Sequence, residues 1–346
     1  MTAWAGFRAD ADFQSGTGHF MRCLALARAW KSHGGEADFL SATTVPALSQ
    51  RLNDAGIGHY PIQSRYPSDD DMSVTGTWLK KHPGAWLIVD GYQFDSEYQR
   101  WAQSSGAHVM VIDDFVRLSD YRAEVLLDQN AGAEERIYPA EGTTIHLLGP
   151  EYAILAPEYG VSRSHRGDSK PDARKVLVTF GGSDPARQTI RVVRALRDHS
   201  TTACLEVHVI VGPANDQITQ IRQEVDDIPR FQMMSNPEDL ASQMSWADAA
   251  VVSGGTTLWE LACIGIPMVV IQIAENQKSG AEAIATAGAA VNLGWCERFS
   301  DSDVAEALDE LLRDPKRRAA MSNGGRSLID GKGADRVVET LMRISG

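Results

Sequence analysis

Gly16-Thr17-Gly18-His19, with Arg22 three residues on, marks the point where a first strand gives way to a first helix. Upstream, Trp4, Gly6 and Phe7 lie in a short run that reads as a strand; downstream, Phe20, Cys23, Leu24, Ala27 and Trp30 recur at helical spacing. His19 therefore sits near a helix N-terminus. Unpaired N–H groups and the positive end of the dipole there bind anions and disfavour imidazolium, so His19 is expected to stay neutral and able to accept a proton. A glycine turn capped by a histidine would carry the same letters, and the rest of the chain has to decide between the two.

At 346 residues the chain exceeds what one hydrophobic core serves, and a hydrophobic content of 43% is ample for two. Lys and Arg total 33 against 46 Asp and Glu, a net charge of -13 with no block of like charge. Nucleic acid and anionic membranes are poor partners for such a chain, so a phosphate-bearing ligand must be held by local dipoles and a few placed side chains. Cys23, Cys204, Cys263 and Cys296 are far apart and form no metal-ligand cluster, as expected of reduced thiols in a cytoplasmic protein. No apolar run approaches the length needed to insert into a bilayer. Composition says nothing of oligomeric state.

Short apolar runs alternate with helical patterns through the first half: Trp4 to Ala9, Ala37 to Leu40, Trp86 to Asp90, Val109 to Asp113 and Val125 to Leu127. That alternation predicts βαβ units and a mostly parallel sheet. The stretch from Pro157 to Pro171, which includes Asp168 and Ser169, lacks periodicity and reads as a linker. A second α/β series follows, with strands at Lys175 to Phe180, Glu206 to Val211, Ala249 to Val252 and Met268 to Ile273. The expected organisation is an N-terminal Rossmann-like domain over 1–156, a linker over 157–172 and a C-terminal Rossmann-like domain over 173–346, whose last helix can pack back on the first domain. Ligands bind such sheets at the carboxyl ends of strands, so two doubly wound α/β domains facing each other across a cleft is the expected fold.

Polar residues gather at those ends. Arg8, Asp10 and Asp12 mark strand one, Asp90 and Tyr92 close Leu87-Ile88-Val89, Asp113 and Asp114 close Val109 to Ile112, and Asp128, Gln129 and Asn130 close Val125 to Leu127. Any one of these could simply cap a helix or turn; four together suggest a polar pocket. In the second half Gly181-Gly182-Ser183-Asp184-Pro185 follows a strand and precedes a helix, so backbone N–H groups can approach a pyrophosphate closely. Neither the P-loop nor the dinucleotide fingerprint spacing is present. Ser253-Gly254-Gly255-Thr256-Thr257-Leu258-Trp259-Glu260 repeats the arrangement, and Glu260, one turn into the helix, can offer its carboxylate to a ribose diol. Asn276 and Gln277 begin another helix, where their amides either bind a phosphate or sugar hydroxyl or cap the helix.

Together these segments resemble the GT-B superfamily of nucleotide-sugar enzymes. More closely the chain resembles the UDP-2,4-diacetamido-2,4,6-trideoxy-β-L-altropyranose hydrolases of the pseudaminic-acid pathway. The resemblance rests on Arg8-Ala9-Asp10, Gly16-Thr17-Gly18-His19-Phe20-Met21-Arg22-Cys23, Val89-Asp90-Gly91-Tyr92, Ile112-Asp113-Asp114, Phe180 to Pro185, Ser253 to Glu260 and Asn276-Gln277, and it covers nearly the whole chain. It implies that His19 is the base that activates water at the anomeric carbon, with inversion and with neither metal nor cofactor. It places Tyr92 and Asn276 beside it as catalytic residues. It implies substrate contacts from Arg8, Asp10, Gly16, Gly18 and Arg22, and a UDP site from Gly182, Ser183, Gly254, Gly255, Thr256, Thr257, Glu260 and Gln277. Met233 and Met234, on an expected loop, would read uracil with main-chain groups. Two other functions fit the same motifs: a GT-B glycosyltransferase of the spore-coat type, with a hydroxyl acceptor in place of water, and a non-catalytic nucleotide-sugar binder, for which a poised base has no use.

Overall fold

The computed structural model describes residues 3–11, 16–43, 45–167, 170–237 and 239–345. Asp12, Asp168 and Ser169 lie outside them. The chain divides into two compact units, one comprising 1–157 with 332–346 and the other 158–331.

The first unit holds seven parallel strands: β1 (Trp4–Ala9), β2 (Glu36–Ser41), β3 (Gly58–Pro61), β4 (Trp86–Asp90), β5 (His108–Ile112), β6 (Val125–Asp128) and β7 (Ile145–Leu148). Their order is β3-β2-β1-β4-β5-β6-β7. Helices α1 (Gly18–Ser32), α2 (Pro46–Asp54), α3 (Asp69–Lys81) and α4 (Ser96–Ser104) make the first crossovers. The central strands are buried, as the unbroken run Trp86-Leu87-Ile88-Val89 requires of a sheet covered on both faces. Trp78, Leu87, Val89, Phe94, Tyr98 and Val109 share one core cluster.

The second unit carries six parallel strands, β8 (Lys175–Thr179), β9 (Glu206–Val211), β10 (Phe231–Ser235), β11 (Ala249–Ser253), β12 (Met268–Gln272) and β13 (Ala290–Trp295), in the order β10-β9-β8-β11-β12-β13. Its helices begin with α5 (Pro157–His165), which starts on the last residue of the first unit, and continue with α6 (Gln188–Asp198), α7 (Ile218–Val225), α8 (Leu240–Trp246), α9 (Thr257–Ile264), α10 (Lys278–Thr286), α11 (Asp301–Arg313) and α12 (Pro315–Leu328). The last helix, α13 (Gly333–Ser345), belongs to the first unit, where it contacts α1. No helix of the described residues is long and apolar enough to cross a membrane.

Two local expectations change. The start of the aperiodic stretch is helical: α5 has Glu158 in its first turn and Arg163 and His165 in its last, charges that complement the helix dipole where an apolar period is weak. Met233 and Met234 lie on β10 and not on a loop, in register with Val209 and Ile210. Four strands went unread in the sequence, β3, β7, β10 and β13, and they are the four sheet edges. Edge strands are half-solvated and tolerate Pro61, His59 and the left-handed Gly294, so they lack the apolar run that betrays a central strand.

In both sheets the strand order reverses between the first and fourth strands, β1 and β4 in one, β8 and β11 in the other. Such a switch point opens a crevice at the carboxyl ends of the two strands, and it fixes where each site is to be sought.

Candidate active site

In the first unit the crevice is bordered by the start of α1 and the end of β4, whose Asp90 pairs in register with Ala9. Gly16 takes a φ of 76°, in the left-handed region that favours glycine, and turns the chain into α1. Thr17 is the N-cap but accepts no bond with its side chain, and the first turn carries no acidic residue. A Cβ placed on Gly18 would meet nothing within 4 Å, so open space adjoins the helix start.

His19 points its Nδ1 at Asp90 Oδ1, 2.6 Å away. Arg22, one turn along the same helix face, donates from Nε and Nη2 to Asp90 at 2.6 and 2.7 Å, and from Nη1 and Nη2 to Asp114 at 2.6 and 3.1 Å. Nη2 also comes within 3.1 Å of His19 Nδ1, but its two hydrogens are already given to the two carboxylates. An ionised carboxylate only accepts. In the neutral imidazole the hydrogen therefore sits on Nδ1, donated to Asp90, with the lone pair on Nε2.

Burial works against charge on Asp90 and Asp114, yet Arg22 holds both carboxyls below their ordinary range. Cys23 Sγ lies 3.6 Å from Asp90 Oδ2, and burial together with that carboxylate pushes its thiol well up, which makes it an inert neighbour. Tyr92, 40% exposed, donates its hydroxyl to Asp114 Oδ2 at 3.0 Å and stands edge-on to the imidazole with ring centroids 4.8 Å apart.

Two residues expected to touch substrate are placed otherwise. Arg8 is wholly buried within β1, its guanidinium shared between Asp10 and Asp71 and lying over the Phe94 ring at 4.8 Å. Arg22 is 6% exposed and spends its fork on two carboxylates. Both are scaffold cations, because a guanidinium taken out of water must satisfy its donors internally. Asp10 accepts from Arg8, from the Ala42 backbone N–H at 2.7 Å and from Gln93 Nε2 at 2.9 Å, which leaves it 7% exposed.

The second unit repeats the pattern at its own switch point. Gly181, with φ 78°, leads from β8 into Gly182 and Ser183, both half-buried. The Gly182 carbonyl accepts from Ala214 N–H at 2.9 Å, and a Cβ on Gly212 would sit 2.3 Å from the Gly181 oxygen, so the turn lies directly on the end of β9. Asp184 accepts from the Gln188 and Thr189 N–H groups at 3.0 and 2.8 Å and fixes the start of α6.

After β11, Gly254, Gly255 and Thr256 lead into α9, whose N-cap Thr256 makes no side-chain cap bond. Thr257 and Glu260 stand in the first turn, both half-buried. Gln277 Oε1 accepts from Gly254 N–H at 3.1 Å and Ile273 N–H at 3.0 Å, tying two strand-end loops together and committing the Gly254 N–H within the protein. Asn276 and Gln277 form a short 3₁₀ turn, Glu275–Gln277, ahead of α10, with Asn276 exposed. On β10, Arg230 C=O accepts from Val207 and Asn236 N–H donates to Val211, so the even-numbered residues, Met234 among them, turn their main chain to β9. Met233 turns its main chain away from β9.

The sequence reading named Asp90 and Asp114 only as strand-end carboxylates, and their roles as partners of His19 and Arg22 went unassigned. A usable signal was present: His19 and Arg22 are three residues apart on a helix and so share a face, which needs an acidic counterpart on the neighbouring strand. If Glu260 grips a ribose as the resemblance implies, Glu260→Ala is expected to weaken UDP binding by roughly 1–3 kcal/mol, the scale of a charge-assisted hydrogen bond, with little effect on the chemical step. Calorimetry with UDP measures it, and an unchanged Kd would remove Glu260 from the site.

The chain is 33% identical over 206 residues to the spore coat polysaccharide biosynthesis protein SpsG of Bacillus subtilis, an alignment spanning 60% of each protein. It is 24% identical over 277 residues to an uncharacterized protein of Methanocaldococcus jannaschii, spanning 78% of this chain and 55% of that one. The chain thus spans less than two thirds of these two relatives. It is also 24% identical to the UDP-N-acetylglucosamine--N-acetylmuramyl-(pentapeptide) pyrophosphoryl-undecaprenol N-acetylglucosamine transferase of Salinibacter ruber, over 95% of this chain and 94% of that one. Among solved structures, Acinetobacter baumannii MurG superposes with a TM-score of 0.65 at 17% identity and covers 99% of both chains. The spinosyn forosaminyltransferase SpnP gives 0.71 at 15% identity over 100% of both, and LpCGTa in complex with UDP gives 0.67 at 14% over 100% of this chain and 99% of that one. Residues 176–337 match the glycosyltransferase family 28 C-terminal domain, and the chain is an α/β protein of the GT-B fold.

Proposed function

We propose that this chain breaks the anomeric bond of a UDP-sugar and releases UDP, with His19 taking the proton of the attacking group. The observation that carries this reading is the 2.6 Å contact between His19 Nδ1 and Asp90, which in the neutral imidazole makes Nε2 the proton acceptor at the switch point of the N-terminal sheet. The UDP half rests on the second unit. Its glycine turns stand at the corresponding switch point, the first N–H groups of α9 have no side-chain cap, and its sequence matches a glycosyltransferase C-terminal domain.

In this mechanism a water oxygen attacks the anomeric carbon while its proton passes to His19 Nε2. The new C–O bond forms as the bond to the β-phosphate oxygen breaks, and the configuration inverts. Diphosphate leaves with the bonding pair, its charge met by the N–H groups of the Gly182-Ser183 and Gly255-Thr256-Thr257 turns. Those donors belong to the chain itself, so activity is expected to survive EDTA. Loss on chelation with recovery on Mg²⁺ would contradict this.

We take the nucleophile to be water because the resemblance of Gly16 to Cys23 and its companion motifs is to the sugar-nucleotide hydrolases of pseudaminic-acid (nonulosonate) biosynthesis, which implies a 2,4-diacetamido-2,4,6-trideoxy sugar. Glycosyl transfer to a hydroxyl is the second reading, and it has an observation of its own: the Salinibacter ruber relative, aligned over nearly the full length of both chains, is named as a transferase. Incubation with a panel of UDP-sugars separates the two. Hydrolysis yields UDP with no added acceptor; transfer yields it only when an acceptor is supplied.

A further inference from the structure

The ends of β12 and β13, with α10 beside them, border a cavity of about 630 Å³, a volume in the range of small-molecule sites. None of the turns assigned to UDP lines it, and neither do Asn276 and Gln277. The cavity owes its shape to an irregularity in the sheet. Val270 pairs with Asn292 but Ile271 pairs with Gly294, so β13 carries one residue too many at that point. Such a bulge re-aims the side chains next to it. Asn292 folds its Oδ1 back over the bulge, accepting from Gly294 N–H at 2.9 Å and from Gln272 Nε2 at 3.3 Å.

Gln272 is 5% exposed, and a buried amide oxygen ordinarily has a donor. Among the described residues nothing donates to Gln272 Oε1, yet that atom is not sealed from solvent, and the residue lines the cavity. Asn292 Nδ2 likewise has no acceptor among the described residues. One wall therefore offers an acceptor beside a donor, the pair that a hydroxyl, which both donates and accepts, satisfies at once. The rim is charge-balanced: Glu275 and Glu282 face the same space as Lys278 and Arg298, and none of the four is in an ion pair among the described residues. An anion would meet the two carboxylates there and a cation the two bases, whereas a neutral ligand rich in hydroxyls finds partners in all four. Half-buried Trp295 lines the cavity too, has no ring partner among the described residues and supplies an apolar face. We propose that this cavity binds a neutral sugar at a site separate from the residues assigned to UDP. The assignment does not depend on the UDP-sugar reading above.

Free glucose and free N-acetylglucosamine are the probes, titrated into the full chain with excess UDP present and followed by saturation-transfer NMR. At least one is expected to bind saturably to wild type. Trp295→Ala should weaken that binding at least about tenfold, through loss of the stacked apolar area. Glu282→Ala, on the exposed side of α10, should weaken it about threefold, through loss of one hydrogen bond to a charged group. Calorimetry should find the UDP affinity of both variants equal to that of wild type. Failure of both sugars to bind wild type overturns the assignment, as does sugar binding that Glu282→Ala leaves unchanged, a test that stands even if Trp295→Ala fails to fold. Failure to bind UDP would count against the functional reading and leave the sugar titration to decide this one.

Discussion

Replacing His19 by Ala or Asn is expected to lower turnover at least about a hundredfold while leaving UDP affinity nearly intact, because loss of a general base costs on the order of 10² to 10⁴. The separation of the two effects follows from the division of labour. In the proposed mechanism His19, of the N-terminal unit, acts at the reacting carbon, whereas the residues assigned to UDP all lie between Gly182 and Gln277. Steady-state kinetics alongside UDP calorimetry reads both. Wild-type turnover in the variant would mean that His19 is the capping residue of a glycine turn and no more.

Asp90→Asn should be nearly as damaging, by about a hundredfold or more, for a different reason. The asparagine amide can offer its own hydrogen to Nδ1, which moves the imidazole proton to Nε2 and removes the acceptor where it is needed. The same change has a stability cost of about 3 kcal/mol, the low end for breaking a buried ion pair, since Asp114 still covers Arg22. The pH dependence separates the two effects. Asp90 and Asp114 are held below their ordinary range, so their stabilisation is fully present above the unfolded-state value of about 4 and is lost as pH falls through the folded-state values. Tm should fall steeply with acid in wild type and less steeply in Asp90→Asn. Parallel curves would show that Asp90 is not ionised in the folded protein.

Much of this fold was legible because the central strands announce themselves. Leu87-Ile88-Val89 and Val109 to Ile112 are buried on both faces and must be apolar throughout, and each is followed by the polar residues a strand end needs. The edges were illegible for the converse reason: Gly58-His59-Tyr60-Pro61 looks like a turn until β2 lies beside it. The same limit applied to the site. A sequence shows that His19 begins a helix, since that depends on neighbours in the chain, but Asp90 is 71 residues away and Asp114 is 92 residues from Arg22, and only the order of strands brings them together. Arg8 misled because an arginine beside an aspartate at a strand end looks like a ligand pair; Asp71, on a helix 63 residues away, is what turns it into scaffold.

The central claim is that the group activated by His19 attacks carbon, and hydrolysis of the UDP-sugar in ¹⁸O-water tests it most directly. Mass spectrometry of the products should find the label in the free sugar and none in the released UDP. Label in UDP would place the attack at phosphorus and contradict the role given to His19 and the Asp90-fixed tautomer, whatever nucleotide the C-terminal unit binds.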